Sequence, residues 1–118
     1  MDPAEARARF AAEHVARLAT IDADGLPHLV PMTFWLGSDS GTDIIYSAVD
    51  AKAKSTRNLK RLANISANPA VAVLADHYEA DWARLWWVRA DGMARVITGG
   101  PEFGAALAGL SAKYPQYR

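Results

Sequence analysis

The chain has 118 residues, 51% apolar and 22% charged. That is one globular domain with room for a single core, and it is too apolar for a disordered chain. Thirteen basic and thirteen acidic residues cancel, which argues against a dedicated nucleic-acid binder, whose charge is normally basic. The absence of cysteine removes disulfides, thiolate metal sites, iron–sulfur clusters and cysteine nucleophiles, and it fits a reducing cytoplasm.

Asp2, Pro3 and Glu5 read as an N-cap, a proline in the first turn and an acid at N3. The helix they start is predicted to run to about Glu13 or His14, with Ala6 and Phe10 inward. Its alternating charge is unlike a secretory signal. Residues 15–21 are strand-like, and Asp22-Ala23-Asp24-Gly25 reads as a turn. Residues 26–36 form a second run rich in Val, Thr, Phe and Trp, so a hairpin is expected. Pro27 and Pro31 lie inside that run and cannot donate to a ladder, which puts the strand at an edge or bulges it. Its apolar stretch, 29–36, is far below the roughly 20 residues of a membrane helix, and a soluble, cytoplasmic protein is expected.

Residues 37–43 read as a polar loop and 44–49 as a third strand. A helix is predicted over 55–64, with Leu59, Leu62 and Ala63 on one face and Arg57, Lys60 and Arg61 on the opposite one. Asn68-Pro69 stops it. Residues 70–75 are a buried strand by composition, and 76–81 an acidic loop. Residues 86–97 form another strand region containing Asp91-Gly92. Local rules allow a two-residue hairpin turn there, or one long strand kinked at Gly92. Gly99-Gly100-Pro101 ends it, and Phe103, Leu107, Leu110 and Tyr114 recur at helical spacing. Mostly sequential strands with short connections suggest an antiparallel barrel or curled sheet with helices at its openings.

The densest chemistry lies at Lys52, Lys54, Arg57, Lys60 and Arg61, five cations in ten residues with no acid among them. Ser55 and Thr56 add hydroxyls at a helix start, where free N–H groups and a partial positive charge suit a phosphate. The segment reads as a phosphate cradle or as a solvated helix face with an N-cap serine. It lacks the glycines of a Walker loop. His14, His28 and His77 have no metal-ligand spacing, so no metal site is expected. His28 is a surface or core histidine, or a proton donor. Trp35, Trp82, Trp86 and Trp87 suit a core or an interface.

Five segments then follow in register: Val15-Ala16-Arg17-Leu18-Ala19-Thr20, Asp24-Gly25-Leu26-Pro27-His28, Lys52-Ala53-Lys54-Ser55-Thr56-Arg57-Asn58-Leu59, Ala67-Asn68-Pro69 and Trp86-Trp87-Val88-Arg89-Ala90-Asp91-Gly92-Met93-Ala94. Over residues 8–118 the chain resembles the pyridoxamine 5'-phosphate oxidase-like split β-barrel family of flavin and deazaflavin oxidoreductases. It is most similar to the branch of coenzyme F420-dependent enzymes of actinobacteria. The resemblance implies a mainly β (α+β) antiparallel split barrel, a single domain over 1–118 and a continuous long strand through Asp91-Gly92. It also implies a homodimer with the cofactor in a groove at the interface. Lys52, Lys54, Ser55, Thr56, Arg57 and Asn58 match the segment that holds the cofactor phosphate. Pro31, Met32 and Thr33 fall where the second strand's backbone lines the ring, and Ser47, Ala48 and Val49 fall on the facing third strand. Trp87 lies where a partner's cofactor can be reached.

The implied activity is hydride transfer between coenzyme F420 and a small organic acceptor. FMN is the alternative cofactor, and a non-enzymatic cofactor or haem-binding barrel the alternative role. No Ser-His-Asp set or paired-carboxylate motif competes, which fits chemistry carried by a cofactor. No nucleic-acid or membrane partner is expected. Members of this family usually continue past Tyr-Pro-Gln-Tyr-Arg into a last strand that completes the barrel; with Arg118 as the last residue, the expectation is either a truncated sequence or a barrel without that strand.

Overall fold

The computed structural model describes residues 1–48 and 56–117, with residues 56–59 and 117 described by their backbone alone. Lys52, Lys54, Ser55 and Val49 therefore lie outside the described residues. Helix α1 (Pro3–Ala12) starts as the sequence predicts, with the Asp2 carboxylate accepting the Glu5 N–H at 2.8 Å. Phe10 on its inner face is buried.

Strands β1 (Ala16–Ile21) and β2 (Pro27–Met32) form the expected hairpin, in register from Ala16 opposite Met32 to Ile21 opposite Pro27. The turn is built by Asp22, whose Oδ1 accepts the N–H groups of Asp24 and Leu26, both at 2.9 Å. Gly25 takes the left-handed φ of +82° that the turn requires. These contacts, the Leu26 N–H foremost, hold the Asp22 carboxyl below the ordinary carboxylate range.

The second run does not stay straight to residue 36. It breaks at Thr33-Phe34 and resumes as β3 (Trp35–Asp39). Phe34 turns into the core with no exposure. Its N–H donates to the Tyr114 hydroxyl at 3.1 Å, and that hydroxyl lies 2.8 Å from the His14 carbonyl and 3.0 Å from the Phe34 carbonyl. The corner is thus set by a residue 80 positions away.

The predicted polar loop over 37–43 is also corrected. β3 continues to Asp39, Ser40 and Gly41 turn, and β4 (Thr42–Tyr46) returns along it. Ser40 and Gly41 have φ of +52° and +83°, the double left-handed pattern of a type I′ hairpin turn. Gly37 sits mid-strand because the Trp35 ring lies over it, so that a Cβ there would stand 2.7 Å from the ring.

Helix α2 (Thr56–Ala67) runs a turn further than predicted and ends before Asn68-Pro69. Strands β5 (Ala70–His77) and β6 (Trp86–Met93) pair along their whole lengths. Asp91-Gly92 is therefore part of a continuous strand, facing Ala72 and Val71. The strand stops at Met93, short of the predicted residue 97. Asp76 and His77, expected in a loop, complete β5.

The main sheet has the order β2-β1-β5-β6 and is antiparallel throughout, while β3 and β4 form a separate two-stranded sheet. β2 is outermost, as its two prolines demand. Ala16, Leu18 and Thr20 alternate onto the buried face. There they join Phe10, Met32, Phe34, Val73 and Ala75, with Leu36 and Ile45 of the hairpin packed against them.

Helix α3 (Pro101–Lys113) covers the other side of the β3–β4 hairpin, with Trp35 pressed against Gly109. It buries Ala106 and Leu110, with Tyr114 next to its end, but leaves Leu107 41% exposed. Of the predicted helical repeat, Leu110 and Tyr114 are thus buried and Leu107 is not. The result is an antiparallel, sheet-rich α+β chain with three helices, as expected for a split barrel.

Candidate functional site

Two of the predicted ring-lining segments meet. Thr33 follows β2 and Ser47 follows β4, and the Ser47 hydroxyl donates to the Thr33 carbonyl at 2.8 Å. Ala48 continues from Ser47. Met32 is buried opposite Ala16 and packs in the core, so only its backbone faces away from the core. Pro31 is exposed on the outer face of β2.

Ser47 leaves a strand end that is held firmly. Tyr46 stacks on Trp35 with ring centres 5.7 Å apart, and its hydroxyl donates to Glu102 Oε2 at 2.7 Å. Arg95 donates to both Glu102 oxygens, at 2.7 and 2.8 Å. Arg95 first, then Tyr46, hold the Glu102 carboxyl below its ordinary value of 4.5. The same hydrogen bond, with burial second, raises Tyr46 above its ordinary 10.0.

These directions fix the pH behaviour. A depressed carboxyl contributes stability in full above pH 4.5 and loses it as pH falls through its folded value. A raised phenol contributes in full below pH 10.0 and loses it as pH rises through its folded value. Glu102→Gln is expected to lower Tm at neutral pH, with the difference from the parent shrinking in acid. Its ultraviolet titration should show one tyrosine fewer ionising late. A parallel pair of Tm–pH curves with an unaltered tyrosine titration would remove this triad.

Thr56, Arg57 and Asn58 occupy the first turn of α2. The predicted cationic face of this helix is corrected further along. Arg61 is 7% exposed and Asn64 4% exposed, so they form the buried side, while Ala63, predicted inward, is exposed. Asn64 Nδ2 donates to Thr20 Oγ1 at 3.1 Å, and Lys60 Nζ stands 3.8 Å from Asp22 Oδ2. The helix packs on β1 through polar groups, which a hydrophobic wheel cannot register. The alternation of Thr20 with Ala16 and Leu18 was the available signal.

Trp87 does not join Thr33 and Ser47 within one chain. It lies on β6 opposite Asp76, 56% exposed on the outer face. Trp87 is on β6 and Thr33 follows β2, at opposite edges of the four-stranded sheet. Leu29 and Met93 are 67% and 73% exposed on that face. The ion pairs Arg17–Asp76 at 3.3 Å and Arg89–Asp91 at 2.8 Å also lie there.

His28 faces inward opposite Thr20, and its Nδ1 is buried with no hydrogen-bond partner. His77 contacts Glu79, and the His14 ring stands edge-on to Tyr114. Among the described residues no group of three His, Asp or Glu side chains is placed to hold a metal. Among them too, no helix is long and apolar enough to cross a membrane.

An antiparallel split barrel with a polar-anchored helix packed on its first strand defines a class of small α+β proteins. Within that class the chain belongs to the pyridoxamine 5'-phosphate oxidase family, whose model matches residues 2–118. Among curated proteins no relative matches.

Solved structures share the fold. A conserved hypothetical protein of Mycobacterium tuberculosis aligns with a TM-score of 0.75 at 24% identity, over 97% of this chain and 64% of its own. This chain thus spans under two thirds of that protein's length. The haem storage protein HutZ of Vibrio cholerae aligns at 0.70 with 16% identity, over 97% of this chain and 76% of its own. An FAD-binding protein of Mesorhizobium loti aligns at 0.68 with 24% identity, over 95% of this chain and 75% of its own.

Proposed function

We propose that this chain is the cofactor-binding unit of an oxidoreductase that moves a hydride between a deazaflavin, coenzyme F420, and a small organic acceptor. The reading rests on family membership and on one observation: the Ser47–Thr33 hydrogen bond joins the two segments expected to line the ring. When bound, the cofactor supplies the hydride chemistry. The backbone of Pro31, Met32 and Thr33 and the facing Ser47, Ala48 and Val49 orient the ring. Lys52, Lys54, Ser55, Thr56, Arg57 and Asn58 hold the phosphate. The described part of that set fits the task, because a helix start presents unpaired N–H groups to an anion.

The active species is a homodimer built on the outer sheet face. Leu29, Trp87 and Met93 are the exposed apolar side chains that such a dimer would cover there. The face carries two cations and two anions, paired with each other within the chain, so it presents no net charge to repel a second copy. Trp87 then reaches the partner's cofactor. Leu29→Asp is expected to give a monomer in sedimentation equilibrium.

The deciding experiment is titration of the protein with coenzyme F420, FMN and haemin. Tight F420 binding supports the reading, tight FMN binding moves the protein to flavin chemistry, and a haem Soret band alone makes it a haem binder. A charge-assisted contact is worth about 1.5–3 kcal/mol, so Lys54→Ala is expected to weaken cofactor binding roughly 10- to 150-fold. Unchanged affinity would take Lys54 out of the site.

A further inference from the structure

We infer that the buried Asn64–Thr20 hydrogen bond is a positioning device that sets the rotation and tilt of α2, and with them the place of its first turn, Thr56 to Asn58. This deepens the function proposed above and rests on it. Thr20 is 1% exposed on a core face otherwise occupied by Ala16 and Leu18, and Asn64 is 4% exposed on the facing helix. Apolar side chains would fill that space at less desolvation cost. What the polar pair adds is direction. An apolar contact tolerates sliding and rotation, whereas the bond from Asn64 Nδ2 to Thr20 Oγ1 at 3.1 Å is satisfied in one register only.

The leverage follows from helix geometry. Asn58 lies six residues before Asn64 in α2, about 9 Å along the axis. A tilt of roughly 10° about Asn64 displaces that turn by about 1.5 Å, and a slip of one residue rotates it by about 100°. Displacements of that size separate a working anion site from an idle one. One further polar contact is made at the same end of β1. Lys60 Nζ reaches Asp22 Oδ2 at 3.8 Å in the turn that follows Thr20. Arg61, one turn before Asn64, is buried on the same side of α2.

Replacing both partners of a buried hydrogen bond by apolar groups of similar shape is close to neutral for stability. Affinity and stability can therefore be separated. The parent protein and Thr20→Val/Asn64→Leu are titrated with coenzyme F420 and with FMN, and their Tm values compared. The double variant is expected to keep its Tm within a few degrees while binding the cofactor about tenfold or more weakly. Thr20→Ser, which keeps the hydroxyl, is expected to bind as the parent does.

A double variant with parental affinity and parental Tm overturns the inference. A parent that binds neither cofactor overturns the functional reading and the inference with it. Hydrogen exchange on the parent needs no variant to fold. Cofactor addition is expected to slow exchange over residues 61–67, because a device that favours binding is reinforced by it. Unchanged exchange there also overturns the inference.

Discussion

Gly109→Ala is expected to destabilise the protein by about 3 kcal/mol, at the upper end for overpacking a core. A Cβ at that position would lie 2.1 Å from Trp35 Cδ2 and 2.4 Å from two further ring atoms. A contact that short is not absorbed by a small side-chain adjustment. The ring is also held on its other side, where it stacks on Tyr46 and lies over Gly37. Either α3 lifts from the hairpin or Trp35 leaves its place. Both outcomes disturb the triad that holds the strand end before Ser47. Thermal unfolding and the near-ultraviolet circular dichroism of Trp35 read the effect. A variant with parental Tm and spectrum would show that α3 does not rest on this ring.

Phe34→Ala is expected to cost about 3–5 kcal/mol, the range for a fully buried phenylalanine. Phe34 has no exposed surface and packs against Phe10 with ring centres 5.0 Å apart. Tyr114→Phe separates the hydrogen-bonded part of the same corner from its packing. It keeps the ring but removes the group that accepts the Phe34 N–H and lies against the His14 and Phe34 carbonyls. Leaving a buried N–H unpaired costs about 1–3 kcal/mol. Denaturant unfolding of the two variants should rank Phe34→Ala as the more damaging. The opposite ranking would make the hydroxyl, rather than the ring, the main fastener.

Local signals in the sequence were sufficient wherever the physics is local. Asp2 and Pro3 start α1, Asp22 and Gly25 turn the first hairpin, and Pro27 and Pro31 send β2 to an edge. The continuous β6 was left open by local rules and was resolved by family resemblance alone. The break at Thr33-Phe34 was not legible, because its cause is the hydroxyl of Tyr114 at the far end of the chain.

The Ser40-Gly41 hairpin was missed for a different reason. Its flanks are polar and Gly37 looks like a loop residue until the Trp35 ring is placed over it. At the site, one hydrogen bond joins the Thr33 and Ser47 segments that the resemblance sets facing each other. The buried faces of Arg61 and Asn64 were not, because a charge on a helical wheel is assigned to solvent by default. Only the fold shows that Thr20 waits opposite.

The prolines of β2 have a consequence for how molecules of this protein stack in concentrated solution. Pro27 and Pro31 are held in register against β1 although neither can donate to it. They therefore occupy positions whose missing N–H groups point away from the sheet, leaving Leu29 as the outward donor between them. β6, at the other side of the sheet, contains no proline. In polymer terms, among the described residues the sheet has a valence of one: a neighbouring strand can add beside β6 but finds little to bond beside β2. Edge-to-edge growth through this sheet closes after a single addition, so the ladder that leads to fibrils has no second rung.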